Sequence, residues 1–242
     1  MTFQKTALLG LLILPALALA QAPAPKAAGI ESQGYIWNAQ QGEKIEALHL
    51  QGSVKDGAES YEVCGACHLP SGAGRPDGTF PQLAGQHTTV LIKQMADIRA
   101  GLRDNPTMYP FAKTLTDPQE LANTAAYINS LCIPLNHGHY DGADAALQVE
   151  KGKALYEKEC KDCHGPNGQG DKEKFYPVIA GQHYKYLLRQ MTTIRDGKRR
   201  NANPDMVKII RKYDDDQLVA ISAYQASLVM PGAMCQVAAA KK

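Results

Sequence analysis

The sequence predicts an all-α protein built from two copies of one small helical domain. The motif Cys-x-x-Cys-His at Cys64–His68 returns 96 residues later at Cys160–His164, and Pro81–His87 returns at the same offset as Pro177–His183. Self-similarity over this length indicates a duplicated domain. Apolar residues recur at three- and four-residue spacing in each copy, and we find no convincing alternation of the kind that predicts strands.

Three helices are expected in each copy. Cap glycines, Gly101 and Gly197, follow the amphipathic middle helices, and acidic residues begin the closing helices. The predicted helices are 57–63, 88–100 and 117–131 in the first copy, and 152–159, 184–196 and 214–228 in the second.

The first residues are typical of an export signal. Lys5 precedes a short apolar run, and Ala18-Leu19-Ala20 is a small-x-small cleavage site. The run is too short to predict a spanning helix convincingly, although an uncleaved anchor is the alternative. We therefore expect cleavage near Ala20 and a soluble mature protein outside the cytoplasm. The expected segments are a signal peptide (1–20), a partly mobile N-terminal extension (21–53), a first domain (54–132), a linker (133–148) and a second domain with a tail (149–242).

The duplicated motif indicates covalent haem attachment. Two thiols one helical turn apart can reach the two vinyl groups on one porphyrin edge, and the adjacent histidine then lies under the iron. A tetrahedral zinc site would need the two cysteine pairs to converge, whereas each pair has its own domain. The sequence therefore predicts two covalently bound haem c groups, each with one iron. The predicted attachment residues are Cys64, Cys67, Cys160 and Cys163, and the predicted histidine ligands are His68 and His164.

The sixth iron ligand is predicted to be methionine, which is usual in electron transfer because it raises the reduction potential. Met108 and Met206 follow Asn-Pro-x in a loop of each copy, from which a sulfur can reach the open face of the ring. Met95 and Met191 lie on the apolar side of the middle helices, where a role in filling the core is favoured.

Other residues near the haems can be assigned from the repeat. Pro81 and Pro177 each lie 13 residues after a haem histidine, and a proline carbonyl can accept a hydrogen bond from the imidazole nitrogen that is not on iron. His87 and His183 could replace methionine as ligands. Hydrogen bonding near a haem propionate or at the domain interface is favoured for them.

Cys132 and Cys235 each follow a closing helix, and two spare cysteines in an oxidising compartment predict a disulfide. The alternative is two unpaired buried thiols. His137 and His139 lie in the linker, where a metal site is possible but solvated histidines are commoner.

The two halves of the chain carry opposite charge. Residues 21–148 contain 8 Lys and Arg against 13 Asp and Glu, a net charge of −5, and residues 149–242 contain 17 against 11, a net charge of +6. One interpretation is scatter of solvated side chains. The other predicts that an acidic partner approaches the second domain through Lys198–Arg200, with Asp97 and Asp104 as matched surface charges on the first domain.

These residues resemble the di-haem cytochrome c4 family. The shared features lie between residues 55 and 228: the tandem motifs, the Pro-x-Leu/Ile-Ala-Gly-Gln segments, the Lys/Arg-Gln-Met helices, the loop methionines and the Ala-Tyr closing helices. The resemblance implies two class I cytochrome c domains related by a pseudo-twofold axis, with His/Met irons and haem edges facing the interface. Three features depart from the family pattern. Leu69 follows the first motif, whereas Gly165 follows the second. Residues 29–54, with Trp37, form an extension that could cover a haem edge or dock a partner, and the spare cysteines Cys132 and Cys235 are not expected from the family.

The resemblance implies an electron shuttle between redox proteins in the periplasm rather than an enzyme. The expected donor is a dehydrogenase or a cytochrome, and the expected acceptor is an oxidase or a reductase. The alternative function is the electron-accepting subunit of a periplasmic dehydrogenase, for example one that oxidises a sulfur compound. A catalytic haem enzyme would need an open iron position, which two available methionines argue against. No nucleic-acid partner is expected, and a membrane only indirectly, through a partner complex.

Overall fold

The computed structural model describes residues 35–39 and 42–235, so the predicted signal peptide and its cleavage site lie outside the described residues. The described part is helical, as predicted, with a single two-stranded pairing. Its helices are α1 (Glu43–His49), α2 (Val54–His68), α3 (Thr88–Arg99), α4 (Tyr109–Ala112), α5 (Pro118–Ser130), α6 (Ala145–Glu159), α7 (Lys161–His164), α8 (Tyr184–Arg195), α9 (Pro204–Ile210) and α10 (Asp215–Ser227). None of these helices has the length and apolar character needed to cross a bilayer.

The first helical unit is organised around the crossing of α2 and α5. The side chains of Ser53 and Asp117 accept backbone N–H groups of the first turns of these helices, which satisfies donors that would otherwise lack a partner. At the crossing, a Cβ on Gly57 would lie 2.0 Å from the carbonyl oxygen of Asn123. Only glycine therefore allows the two backbones to approach this closely. The motif Cys64–His68 forms the last turns of α2 and is held at this crossing.

The second unit repeats this arrangement. Helices α6 and α10 cross at Gly152, where a Cβ would lie 1.9 Å from the carbonyl oxygen of Ala220. Asp214 and Gln217 form a reciprocal capping box at the start of α10. Helix α6 begins at Ala145, earlier than expected, and so extends into the predicted linker.

A short parallel pairing closes the second unit onto the end of the first. Strand β1 (Ile133–Pro134) pairs with β2 (Met234–Cys235), and a disulfide joins Cys132 to Cys235. The predicted disulfide is therefore confirmed. The sequence does not predict these strands, because two residues are too few to show an alternating pattern.

The extension packs against the first unit through buried charge. Lys44 of α1 and Lys93 of α3 both form ion pairs with Asp97, and all three side chains are almost completely buried. The amide of Asn201, from the second unit, donates to the same carboxylate at 2.7 Å. The Lys93 ammonium also lies 4.3 Å from the centre of the Trp37 ring. The extension therefore covers the first domain beside its contact with the second.

The prediction that Lys198, Arg199 and Arg200 form a docking surface on the second domain is wrong for Arg199 and Arg200. The Arg200 guanidinium is 5% exposed, donates to both carboxylate oxygens of Asp104 at 2.6 and 2.9 Å, and reaches the carbonyl of Gly101 at 2.8 Å. Arg199 likewise points into the contact between the domains. The matched acidic residues are also not free surface charges, because Asp97 is buried and Asp104 is paired. The opposite charges of the two halves partly neutralise each other at their interface. Lys198 alone remains largely exposed, at 72%.

Candidate haem sites and the interface between them

The duplicated cysteines lie at the ends of helices that the glycine crossings hold in place. Cys64 and Cys67 lie on α2, Cys160 precedes α7 and Cys163 lies on it, and none of the four is in a disulfide. Burial raises the pKa of the Cys64 thiol to about 11 and that of the Cys160 thiol to about 12. A Cys-x-x-Cys pair that works as a thiol-redox centre requires a thiolate of lowered pKa, so these environments do not favour such a centre.

The two histidines have the same surroundings in both units. The Nδ1 of His68 lies 2.9 Å from the carbonyl oxygen of Pro81, and the Nδ1 of His164 lies 3.3 Å from that of Pro177. A carbonyl can only accept, so Nδ1 carries the proton in each ring and Nε2 keeps the lone pair that a metal needs. Burial lowers the pKa of both imidazoles, which favours this neutral form.

A single cavity of about 850 Å³ connects the two units, and both histidines line it. Met108, the residue before α4, and Met206, in the first turn of α9, also line it, as do Met95 and Met191. Met206 is therefore in a helix, although a loop was expected, because Asn203 caps α9 just before it. Met191 is buried in the core of the second unit, and Met95 packs against the core of the first, in agreement with the structural role expected for them.

A cationic cluster with the symmetry of the repeat lies on the wall of this cavity. Arg103 donates to the Gln94 side chain and Arg199 to the Gln190 side chain, both at 2.9 Å, and each also reaches the other glutamine, at 3.4 and 3.1 Å. Neither guanidinium is ion-paired to a carboxylate of residues 35–39 or 42–235. Burial, followed by repulsion from Arg103, lowers the pKa of Arg199 to about 9.

Two half-buried cations without carboxylate partners make the cavity wall suitable for an anionic group. The propionates of haem have this chemistry, so the wall fits the cofactor that the cysteine motifs predict. Arg103 was not expected at this site and Arg199 was expected on a docking surface, although the two occupy equivalent positions in the repeat, 96 residues apart. That shared position is the signal that could have found them.

The remaining histidines form hydrogen bonds. His87 Nε2 lies 2.8 Å from the carbonyl of Gln169, and His183 Nε2 lies 2.9 Å from that of Ala73, so each joins one unit to the other. The expected role at the domain interface is confirmed. Both ring nitrogens of His137 lie near backbone carbonyls. Across the described residues, no three or more His, Cys, Asp or Glu side chains form a cluster that could hold a metal ion, at the linker or elsewhere.

Comparisons with known proteins agree with this arrangement. The family model for cytochrome c matches residues 54–132 and again 149–228. Cytochrome c4 of Azotobacter vinelandii is 35% identical over 194 residues, covering 73% of this chain and 89% of that protein. The thiosulfate dehydrogenase electron acceptor of Stutzerimonas stutzeri is 34% identical over 197 residues, covering 75% and 90%. The crystal structure of reduced cytochrome c4 from Pseudomonas stutzeri superposes with a TM-score of 0.63 at 31% identity, covering 74% of this chain and 100% of that one.

Two tandem haem-attachment domains around one cavity define a di-haem c-type electron carrier. Each domain binds one covalently attached haem c, in accordance with the two matches to the family model. The chain belongs to the cytochrome c family and, within it, to the cytochrome c4 proteins.

Proposed function

We propose that this protein carries single electrons in the periplasm between a respiratory donor and an acceptor such as a terminal oxidase. The iron of each bound haem supplies a one-electron couple. The main support is the cavity shared by the two domains, because it brings the two candidate centres to one interface, where electrons can pass between them. The expected limits of the domains, 54–132 and 149–242, remain part of this proposal, as does export after cleavage near Ala20.

The proposal assigns the same chemical roles in both domains. Thioether bonds form at Cys64 and Cys67 in the first domain and at Cys160 and Cys163 in the second. The axial ligands are His68 with Met108, and His164 with Met206. Pro81 and Pro177 orient the histidines through the hydrogen bonds described above. Methionine at the sixth position leaves no open coordination site, so the protein is proposed to transfer electrons and not to act on a substrate.

Replacement of the methionines tests this assignment. In the oxidised holoprotein, Met108→Leu or Met206→Leu should each abolish about half of the weak sulfur-to-iron band at the red end of the visible spectrum, because each removes one of two equivalent ligands. Met95→Leu and Met191→Leu are the matched controls and should leave the band intact. Loss of the band in the controls instead would show that the ligands have been assigned wrongly.

A second candidate function is electron acceptance from a periplasmic dehydrogenase that oxidises a sulfur compound. The observation that favours it is the similarity to a thiosulfate dehydrogenase electron acceptor over 75% of the chain. Rapid mixing of the oxidised holoprotein with a thiosulfate-oxidising dehydrogenase and thiosulfate separates the two functions. Haem reduction within the turnover time of the dehydrogenase would support this second function. Slow reduction by the dehydrogenase, together with fast oxidation of the reduced protein by a terminal oxidase, would support the first function, electron transfer from a respiratory donor to an oxidase.

A further inference from the structure

Two glutamines at the domain interface each hold one peptide segment of the opposite domain. The Gln182 side chain accepts the N–H of Gln82 at 3.1 Å and donates to the carbonyl of Gln82 at 2.9 Å. The Gln86 side chain accepts the N–H of Val178 and donates to the carbonyl of Val178, both at 2.9 Å. The four residues are related by the 96-residue offset, so the same contact occurs twice, once in each direction.

In each pair, the N–H contact lies on the peptide unit whose carbonyl accepts from a haem histidine; the carbonyl contact lies on the next peptide unit. The carbonyl of Pro81 and the N–H of Gln82 belong to one amide group. Its oxygen accepts from His68, while its N–H donates to Gln182 of the second domain. In the same way, the amide between Pro177 and Val178 accepts from His164 and donates to Gln86 of the first domain.

Hydrogen bonds at the two ends of one amide strengthen each other, because each polarises the group. Donation of the N–H to glutamine makes the carbonyl a stronger acceptor. A stronger acceptor draws the Nδ1 proton of the histidine and leaves more electron density on Nε2, which raises its basicity as a metal ligand. A more basic ligand favours the oxidised metal and lowers the reduction potential.

We propose that Gln182 and Gln86 are positioning residues that tune the haem of the opposite domain, Gln182 through His68 and Gln86 through His164. The proposal rests on the axial histidines proposed above. It predicts a crossed pattern: a change in one domain should alter the haem centre of the other more than its own. Residues that only hold the two domains together would not produce that pattern.

The test uses the holoprotein with Gln182→Leu and, separately, Gln86→Leu. Leucine has a similar shape but cannot accept the N–H. We expect Gln182→Leu to raise the midpoint potential of the first-domain haem, and to move the Nδ1–H resonance of His68 upfield in the reduced protein. Gln86→Leu should produce the same two effects at the second-domain haem and His164. Proton NMR follows each centre separately, so the shifts can be assigned to one domain.

Two further variants keep the test decisive. Gln182→Glu loses the donor to the Gln82 carbonyl, as the leucine variant does, but retains an acceptor for the Gln82 N–H. A carboxylate is the stronger acceptor, so the His68 resonance should move downfield, opposite to the leucine variant. Thr89→Val removes another hydrogen bond between the domains, the 2.6 Å contact of the hydroxyl with the carbonyl of Lys172. It does not change either amide that accepts a hydrogen bond from a haem histidine. It should leave both potentials and both resonances unchanged.

Three outcomes would overturn the proposal: a shift in the substituted residue's own domain as large as in the opposite one, no shift in either, or an equal shift in Thr89→Val. Failure of the ligand assignment itself would be seen differently. It would appear in the unsubstituted holoprotein, as ring resonances of His68 and His164 that lack the large shifts a haem imposes on its axial ligand, whatever the glutamine variants do.

Discussion

Reversal of the charge at Arg200 should destabilise the fold and leave encounter with a partner largely unchanged. The guanidinium is 5% exposed and binds both oxygens of Asp104, so Arg200→Glu would place two carboxylates against each other. Removing one member of a fully buried ion pair costs roughly 3–5 kcal/mol. Asp104 is 54% exposed and can regain water, so we expect a loss of about 2–3 kcal/mol in the free energy of unfolding.

Urea unfolding of the oxidised holoprotein, followed by circular dichroism, measures this loss. Lys198→Glu is the matched control, because it is two residues away and 72% exposed; its stability should change by less than about 0.5 kcal/mol. The association rate of each variant with an acidic redox partner is measured at low salt. If Arg200→Glu kept wild-type stability and slowed association more than Lys198→Glu, our interpretation of Arg200 as an interface residue would be refuted.

Three further predictions concern the fold. Gly57→Ala should lower the free energy of unfolding by about 2 kcal/mol, because its Cβ would lie 2.0 Å from a backbone oxygen of α5. Gly65→Ala in the same helix is the control: the nearest atoms to its Cβ would lie at 3.7 Å, so it should raise the free energy of unfolding by up to about 1 kcal/mol. Burial lowers the pKa of His183 to about 4, so the folded protein keeps this ring neutral while the unfolded chain binds a proton near pH 6.5. The stability from the neutral ring is therefore full above pH 6.5 and is lost as the pH falls, by about 2 kcal/mol between pH 7 and 5. The variant His183→Gln should abolish this pH-dependent loss. Thiol titration of the denatured, unreduced holoprotein should find no free thiol, since Cys132 and Cys235 are joined; two reactive thiols would contradict the disulfide.

The sequence predicts well those features whose cause is local. The cysteine–histidine spacing is set by a helical turn and a porphyrin edge, and the acceptors Pro81 and Pro177 lie at a fixed distance along the chain from their histidines. The six expected helices follow from apolar periodicity, and their errors are at the ends. Helix α2, for example, begins at Val54 and not at Gly57, because Ser53 provides a cap that the apolar pattern does not reveal. Four shorter helices of the described residues, α1, α4, α7 and α9, were not expected.

Features that depend on how the two domains dock could not be predicted from one chain read in order. Arg199 and Arg200 are indistinguishable in sequence from an exposed basic run. Only the positions of Asp104, Gln94 and Gln190 in the folded protein make Arg200 buried and Arg199 half-buried. Leu69 shows a smaller limit of the same kind. Its φ of 65° is close to the 77° of Gly165, so the backbone of the repeat persists even where the glycine that favours it is absent.

The interface contacts bear on how the two haem centres behave together. Separation of the domains would break the two glutamine contacts, the hydrogen bonds of His87 and His183, and the ion pair of Arg200. Most of these groups are buried, and each one left unpaired away from water would cost about 1–3 kcal/mol. A partial opening that broke these contacts and kept water out is therefore strongly unfavourable. The Cys132–Cys235 disulfide further limits separation, because it fixes the end of the first domain to the chain that follows the last helix of the second. The two domains are thus held in one relative arrangement. A di-haem carrier needs such an arrangement if an electron that arrives at one haem is to pass to the other without a prior domain rearrangement.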